Sequence, residues 1–290
     1  MRSSIAENER TPPSWHSTHA IHWTITGNSG TLVIQMAGVT NMSSDRPYEA
    51  LVAEALAAPF EGWDFGWLDG RTDQAGPSWS YEELARSALA TATCALDIAT
   101  GGGELLASFQ PLPAHTVATE GWPPNVAVAT RRLAPLGVEV RASTSTTLPA
   151  HDGEFDLLLN RHGAFDAAEA HRVLRPGGIV LMQHVGSGND ADLNATLDAP
   201  PPNYGGDCAT MAGELERAGF DVVTSRDENP EFAFNDIGAV IYHLRAVSWQ
   251  IPDFDVQTYD QSLRRLDARI RNDGPFIAHD HRLLIEAERK

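Results

Sequence analysis

The sequence predicts an α/β fold with a doubly wound sheet, and three observations carry that reading. A short apolar run, Cys94 to Ile98, leads through Ala99-Thr100 into Gly101-Gly102-Gly103, and a helical run begins at Glu104. Further apolar runs at His115–Thr119 and Phe155–Leu159 alternate with helical stretches. Finally, a helix closes at Arg172-Val173-Leu174, turns on Pro176-Gly177-Gly178 and enters another apolar run at Ile179–Met182.

The first of these segments says most about function. A strand, a glycine turn and a helix N-terminus let a nucleotide-like ligand approach bare backbone. A Cβ in the turn would block that approach or demand a positive φ. The dinucleotide fingerprint G-x-G-x-x-G fails, because the glycines are consecutive and Leu106 holds the sixth position. No G-x-x-x-x-G-K-[ST] loop occurs. Asp97, just before the turn, would repel a pyrophosphate but suits a ligand bearing an ammonium group.

The second strand, His115 to Thr119, runs into Glu120 and Gly121. A carboxylate there can accept hydrogen bonds from both ribose hydroxyls. Trp122 either stacks on an adenine or simply packs, and a helix from about Asn125 to Leu136 starts near Pro123-Pro124. Phe155 to Leu159 forms the fourth strand after an Asp152-Gly153 turn.

Together these residues resemble class I S-adenosylmethionine-dependent methyltransferases. Asp97-Ile98-Ala99-Thr100-Gly101-Gly102-Gly103 is similar to that family's first motif, and Glu120 matches its acidic ribose ligand. Leu148-Pro149 through Phe155-Asp156 resembles its "LP…FD" stretch, and Val173-Leu174-Arg175-Pro176-Gly177-Gly178 its "VLRPGG" turn. The resemblance spans about residues 78 to 290. It implies a seven-stranded Rossmann-like sheet with S-adenosylmethionine across the carboxyl ends of the first two strands. It also implies cofactor contacts from Asp97, Ala99, Thr100, Gly101, Gly103, Glu120, Gly121 and Trp122. Ala99 replaces the usual first glycine and fits if its φ is negative. Thr144 stands where the family often has an aspartate for the adenine amino group, and Ser145 would offer its backbone N–H to the ring.

Composition bounds the rest. A chain of 290 residues suffices for one large α/β domain with additions. No apolar run approaches the ~20 residues that span a bilayer, and no signal peptide is evident, so a cytoplasmic location is expected. Cys94 and Cys208 make no disulfide framework. The net charge of −18 disfavours a nucleic-acid partner, whose binding rests on Lys and Arg neutralising phosphates. The oligomeric state is left open.

Along the chain, residues 1–41 read as a mobile arm or an upstream extension, with a possible hairpin across Gly27-Asn28-Ser29-Gly30. Residues 42–93 hold N-terminal helices and an aromatic flap, Phe60 to Gly70, and Ser80 with Glu83 reads as a helix N-terminus. The flap either packs on the core or touches a ligand; Trp67, Trp79 and Tyr81 are its candidate substrate contacts. The cofactor domain occupies 94–290. A helical cap is expected at about 228–276, with helices near Ile237–Val247 and Val256–Arg271.

Methyl transfer is an in-line displacement in which the protein chiefly positions the nucleophile. A hydroxyl acceptor would benefit from a general base. His162 and His184, at carboxyl strand ends, are the catalytic candidates, and His243 in the cap is a third, also a candidate substrate contact. Each is equally readable as a structural histidine. Asn160 serves the methionine portion, orients the acceptor, or caps the strand. No carboxylate cluster or Cys/His spacing reads as a metal site. The expected activity is methylation of a small molecule. The alternatives are an RNA-base methyltransferase, or a cofactor-binding protein of this fold without transfer.

Overall fold

The computed structural model describes residues 46–60, 65–143 and 147–290. In chain order the elements are α1 (Tyr48–Ala57), β1 (Thr72–Gln74), α2 (Tyr81–Thr91), β2 (Cys94–Ile98), α3 (Glu104–Ala107), β3 (His115–Glu120), α4 (Pro123–Leu133) and β4 (Glu139–Ala142). They continue as β5 (Phe155–Arg161), α5 (Ala167–Val173), β6 (Leu174–Val185), α6 (Ala191–Thr196), α7 (Cys208–Ala218) and β7 (Phe220–Glu228). The chain closes with β8 (Glu231–Phe234), α8 (Ile237–Ala246), α9 (Asp260–Asp273), β9 (Phe276–His279) and β10 (Arg282–Arg289).

Seven strands form the main sheet in the order β4-β3-β2-β5-β6-β10-β7. β2 pairs in parallel with β3 and β5, while β10 runs antiparallel between β6 and β7. The predicted doubly wound, seven-stranded fold is therefore the observed one. Central parallel strands are buried on both faces, which is why they read as apolar runs. One face packs Ala95, Leu157, Leu159, Leu181 and Leu284 under α2 and α4. The other packs Leu96, Val117, Leu158, Val180 and Met182 under α5 and α7. Each fully buried leucine contributes about 1.5–3 kcal/mol. Strand order reverses beside β2, and that reversal opens a crevice at the carboxyl edge between β3 and β5.

Several local expectations are met by identifiable contacts. The Ser80 side chain caps α2 by accepting from the Glu83 N–H at 3.2 Å. Asp207 caps α7 at Thr210 (2.8 Å), and Asp166 caps α5 at Glu169 (2.9 Å). At the amino edge of the sheet, Asp156 accepts from the Thr93 N–H (2.8 Å), the Cys94 N–H (2.9 Å) and the Thr93 hydroxyl (2.8 Å), and pairs with Arg175 at 2.5 Å.

The cap differs from the purely helical insertion that was predicted. It contributes β8 and β9 to a second sheet, completed by β1 from the N-terminal segment, in the order β1-β8-β9. α1, α8 and α9 pack with it around a separate core that includes Leu51, Phe234, Ile241, Tyr242 and Leu266. Two distant stretches thus fold as one unit, which helical periodicity within either stretch does not reveal. Because Arg282 faces both Val185 and Glu228 in register, the insertion leaves and rejoins the main sheet at its carboxyl edge. No helix among the described residues is long and apolar enough to cross a membrane. The N-terminal hairpin lies outside the described residues.

Candidate active site

The carboxyl edge of β2 and β3 is built around a loop tied tightly to its neighbour strand. The Thr100 N–H donates to the Thr119 carbonyl at 2.9 Å, and the Gly103 N–H donates to the Thr100 carbonyl at 3.0 Å. Gly101 takes φ +63° and Gly103 φ +79°, and a Cβ on Gly103 would fall 2.9 Å from Leu133 atoms. The turn needs both glycines.

Ala99 corrects an expectation. Its φ is +56°, not negative, so an L-residue sits in left-handed backbone at a cost of about 1–2 kcal/mol. Space for its methyl is found opposite: a Cβ added to Gly163 would lie 2.5 Å from the Ala99 Cβ. The glycine absent from the loop is offset by one across the crevice.

Glu120 is buried, and its two oxygens face different ways. Oε2 accepts from the Gly101 N–H and Oε1 from the Trp122 N–H, each at 2.8 Å. The carboxylate therefore clasps the glycine loop, and each oxygen keeps a further lone pair for a ribose hydroxyl. Gly121 is exposed beside it, and Trp122 is 57% exposed at the start of α4. The indole is not absorbed into the core, so its face is free for a flat ring.

Burial pushes the Asp97 carboxyl up to about 7, opposed by the Thr100 hydroxyl and reinforced by the negative charge of Glu120. The Thr100 hydroxyl lies against this carboxyl, yet its oxygen closes no well-formed hydrogen bond among the described residues. No Lys or Arg forms an ion pair with Asp97 among the described residues. A buried acid without a counter-ion is costly unless a cation arrives.

The other predicted residues are placed as follows. Tyr81 is buried against this edge with its hydroxyl unpartnered among the described residues. Trp79 is buried, and its Nε1 donates to Gln183 Oε1 at 2.8 Å, making it a wall rather than a free contact. Asn160 is fully buried and spends its amide on the following turn, accepting from the Gly163 N–H at 2.9 Å and donating to the Gly163 carbonyl at 3.2 Å. Of the readings open to it, strand-end capping is the one its contacts support.

Trp67 is sandwiched between Tyr242, at 4.6 Å between ring centres, and the Arg71 guanidinium at 4.0 Å, within the second core. His243 also belongs there, with Nε2 3.0 Å from the buried Asp190 carboxylate and its ring against Phe232 and Phe234. Neither takes the substrate-lining position expected of it; the fold directs both side chains into the packing of the cap. Thr144 and Ser145 lie outside the described residues.

His162 follows β5 at φ +66°, and its N–H donates to the Gln183 carbonyl at 2.9 Å. The residue touches water, yet it stands in a crowded recess. Removal from bulk solvent lowers its pKa, and the charges of Arg161 and Arg282 lower it further. His184 is in register with Leu283 and points to the opposite face from Trp79, with Nε2 buried and unpartnered among the described residues. Burial lowers its pKa to about 4. Both rings are neutral at pH 7 and are weak bases.

Sequence reasoning missed Arg161 and Gln183. Gln183 is a polar residue inside a predicted apolar strand, which was the available signal. Arg161 was hidden because the strand was expected to end at Leu159.

A strand–glycine-loop–helix unit, an acid at each of two adjacent strand ends and this strand order define a class I methyltransferase fold. Residues 96–182 match the family described as a methyltransferase domain. The chain belongs to the class I S-adenosylmethionine-dependent methyltransferase family. In fold it is similar to a candidate methyltransferase of Bacillus halodurans C-125, with TM-score 0.53 and 19% identity over 71% of this chain and 97% of that one. It is also similar to the YcgJ protein of Bacillus subtilis, with TM-score 0.51 and 16% identity over 72% and 98% of the two chains. A functionally unknown protein of Deinococcus radiodurans R1 has TM-score 0.51 and 17% identity over 76% and 91%. No curated protein matches the chain in sequence.

Proposed function

We propose that this protein binds S-adenosylmethionine at the carboxyl edge of β2 and β3 and transfers its methyl group to a small-molecule acceptor. The observation that carries the reading is the pairing of the Gly101–Gly103 loop with Glu120, which leaves acceptor capacity for a ribose beside an exposed indole. The family match over residues 96–182 supports the same assignment.

The residues fit such a cofactor in three respects. Asp97 is a buried carboxyl in need of a cation, and an ammonium group supplies one. The Tyr81 hydroxyl is an unpartnered polar group on the same edge. The glycine turn admits close approach without a Cβ. When bound, the cofactor supplies an electrophilic methyl on a sulfonium. The chain's own contribution is to fix the cofactor, exclude water with Trp79 and the cap, and orient the incoming nucleophile.

The neutral state of His162 and His184 bears on the acceptor. An imidazole with pKa about 4, as at His184, removes a proton from a neutral alcohol poorly. An acceptor that is already nucleophilic near pH 7, such as an amine or a carboxylate, suits the site better. The net charge of −18 favours a small molecule over RNA.

The test is calorimetric titration of the purified protein with S-adenosylmethionine and S-adenosylhomocysteine, followed by labelled-methyl transfer to a panel of phenols, amines and carboxylates. Micromolar binding with turnover of one class supports the reading. Binding without any turnover favours a cofactor-binding protein, and absence of binding in folded protein removes the proposal.

A further inference from the structure

The face of the sheet beneath α2 carries two opposite charges with a buried hydroxyl beside them. In β2 and β5, Ala95 is in register with Leu157 and Asp97 with Leu159; in β5 and β6, Leu159 is in register with Leu181 and Arg161 with Gln183. Ala95, Leu157, Leu159 and Leu181 all pack with Trp79 and Tyr81. Side chains two apart along a strand share a face, so Asp97 and Arg161 project to that same side. Gln183 shows this directly by accepting from the Trp79 Nε1.

Asp97 and Arg161 lie one strand and two residues apart, which places their Cα atoms roughly 8 Å from each other. They do not pair with each other. Arg161 is exposed and has no ion pair or side-chain hydrogen bond among the described residues, unlike the nearby Arg282, which pairs with Asp280 at 2.9 Å. The Tyr81 hydroxyl, in a residue only 5% exposed, has no partner either. This hydroxyl feels the negative charge of Asp97, which adds to the effect of burial in raising its pKa, and the opposing positive charge of Arg161.

We infer that Asp97, Tyr81 and Arg161 form a receptor for an α-amino-carboxylate zwitterion, with the ammonium at Asp97, the carboxylate at Arg161 and the Tyr81 hydroxyl bonded to the group between them. One ligand answers three separate deficits: a buried acid without a cation, a free guanidinium and an orphaned hydroxyl. The charges of such a zwitterion are roughly 3 Å apart, which leaves room for a hydrogen bond at each end of the available span. Two sources offer this chemistry: the methionine end of the cofactor, or a free amino acid serving as acceptor. The first source rests on the methyltransferase reading; the second does not.

The experiment compares S-adenosylhomocysteine with 5′-methylthioadenosine, the same nucleoside without the amino-acid end, by calorimetry on the full chain. The wild type is expected to favour S-adenosylhomocysteine by about tenfold or more. Arg161→Gln should remove most of that preference, and Tyr81→Phe should reduce it by about threefold. Both variants should leave 5′-methylthioadenosine affinity unchanged. A merely structural role would weaken both nucleosides alike and would overturn the inference. If Arg161→Gln leaves both affinities intact, sarcosine titrated into the protein saturated with S-adenosylhomocysteine decides. Sarcosine binding that is lost in Arg161→Gln assigns the receptor to an acceptor, and no sarcosine binding overturns it. If neither nucleoside binds the wild type, the methyltransferase proposal falls by itself, and the sarcosine titration of the unloaded protein alone decides the receptor.

Discussion

The two ends of the main sheet are made from the same strands but treat polar groups in opposite ways. At the amino edge, Asp156 collects three hydrogen bonds from Thr93 and Cys94 and pairs with Arg175. Glu154 beside it bonds the His151 N–H at 2.7 Å and pairs with His115 and Arg141. At the carboxyl edge, Tyr81, Thr100 and His184 each keep a buried polar atom unpartnered among the described residues. There too Ala99 and His162 take positive φ, and Arg161 stays unpaired. Unsatisfied buried groups are rare and costly in native proteins, so their concentration at one edge marks where a ligand completes the structure. The lesson is that one sheet is stapled at its base and left incomplete at its working end.

The largest expected effect tests the staple. Asp156→Ala should lower the unfolding free energy by about 3 kcal/mol, because it orphans two backbone N–H groups and Arg175. Chemical denaturation measures this. S-adenosylhomocysteine affinity should stay unchanged, and a parallel loss of affinity would mean that the two ends are not independent.

Next comes the clasp at the working end. Glu120→Ala removes the acceptor for ribose and frees the Gly101 N–H, and should weaken S-adenosylhomocysteine binding by about 2 kcal/mol. Unchanged affinity by calorimetry would remove Glu120 from the site.

The ends should also respond oppositely to pH. Burial opposes ionisation of Asp156, but the bonds from Thr93 and Cys94 and the nearby Arg175 prevail and hold its pKa below the ordinary value. A lowered folded pKa contributes stability above the unfolded value, and that stability is lost as pH falls through the carboxylate range. Asp97 is raised to about 7. The stability of its protonated form is fully present below about pH 4 and is lost as pH rises through about 7. An ammonium ligand binds the ionised form, so S-adenosylhomocysteine affinity should fall by up to about tenfold per pH unit below 7. Asp97→Asn should flatten that profile, and a wild-type profile that is flat from pH 5.5 to 8 would exclude an Asp97–ammonium contact.

The smallest effect concerns strain. Ala99→Gly should relieve the positive φ and stabilise the protein by about 1 kcal/mol, a Tm rise of roughly 2–4 °C. Gly163→Ala should destabilise it through the clash with the Ala99 methyl, and Ala99→Gly in the same chain should recover part of the loss. Additive effects in differential scanning fluorimetry would show that the two positions do not share the space.

Much of the working end was legible before any coordinates. Asp97, the glycine loop and Glu120 lie close together in the chain, and a strand–turn–helix unit imposes their geometry locally. The Ser80 cap and the Pro123-Pro124 helix start were legible for the same reason. Arg161 was not, because its significance lies in what it fails to pair with, and pairing is a property of the assembled sheet. Ala99 was misread in backbone angle because the room for its methyl is made by Gly163, distant in sequence.

The sequence by itself determined the alternation of strands and helices, the cofactor loop and the acid at the second strand end. All of these depend on periodicity and short-range backbone chemistry. Only the tertiary structure decided that β1 pairs with β8 and joins the cap, that Trp67 and His243 are committed to that second core, and that Asp97 and Arg161 share a face. Those outcomes depend on strand register and on which faces meet across long stretches of chain, and no local pattern of residues encodes them.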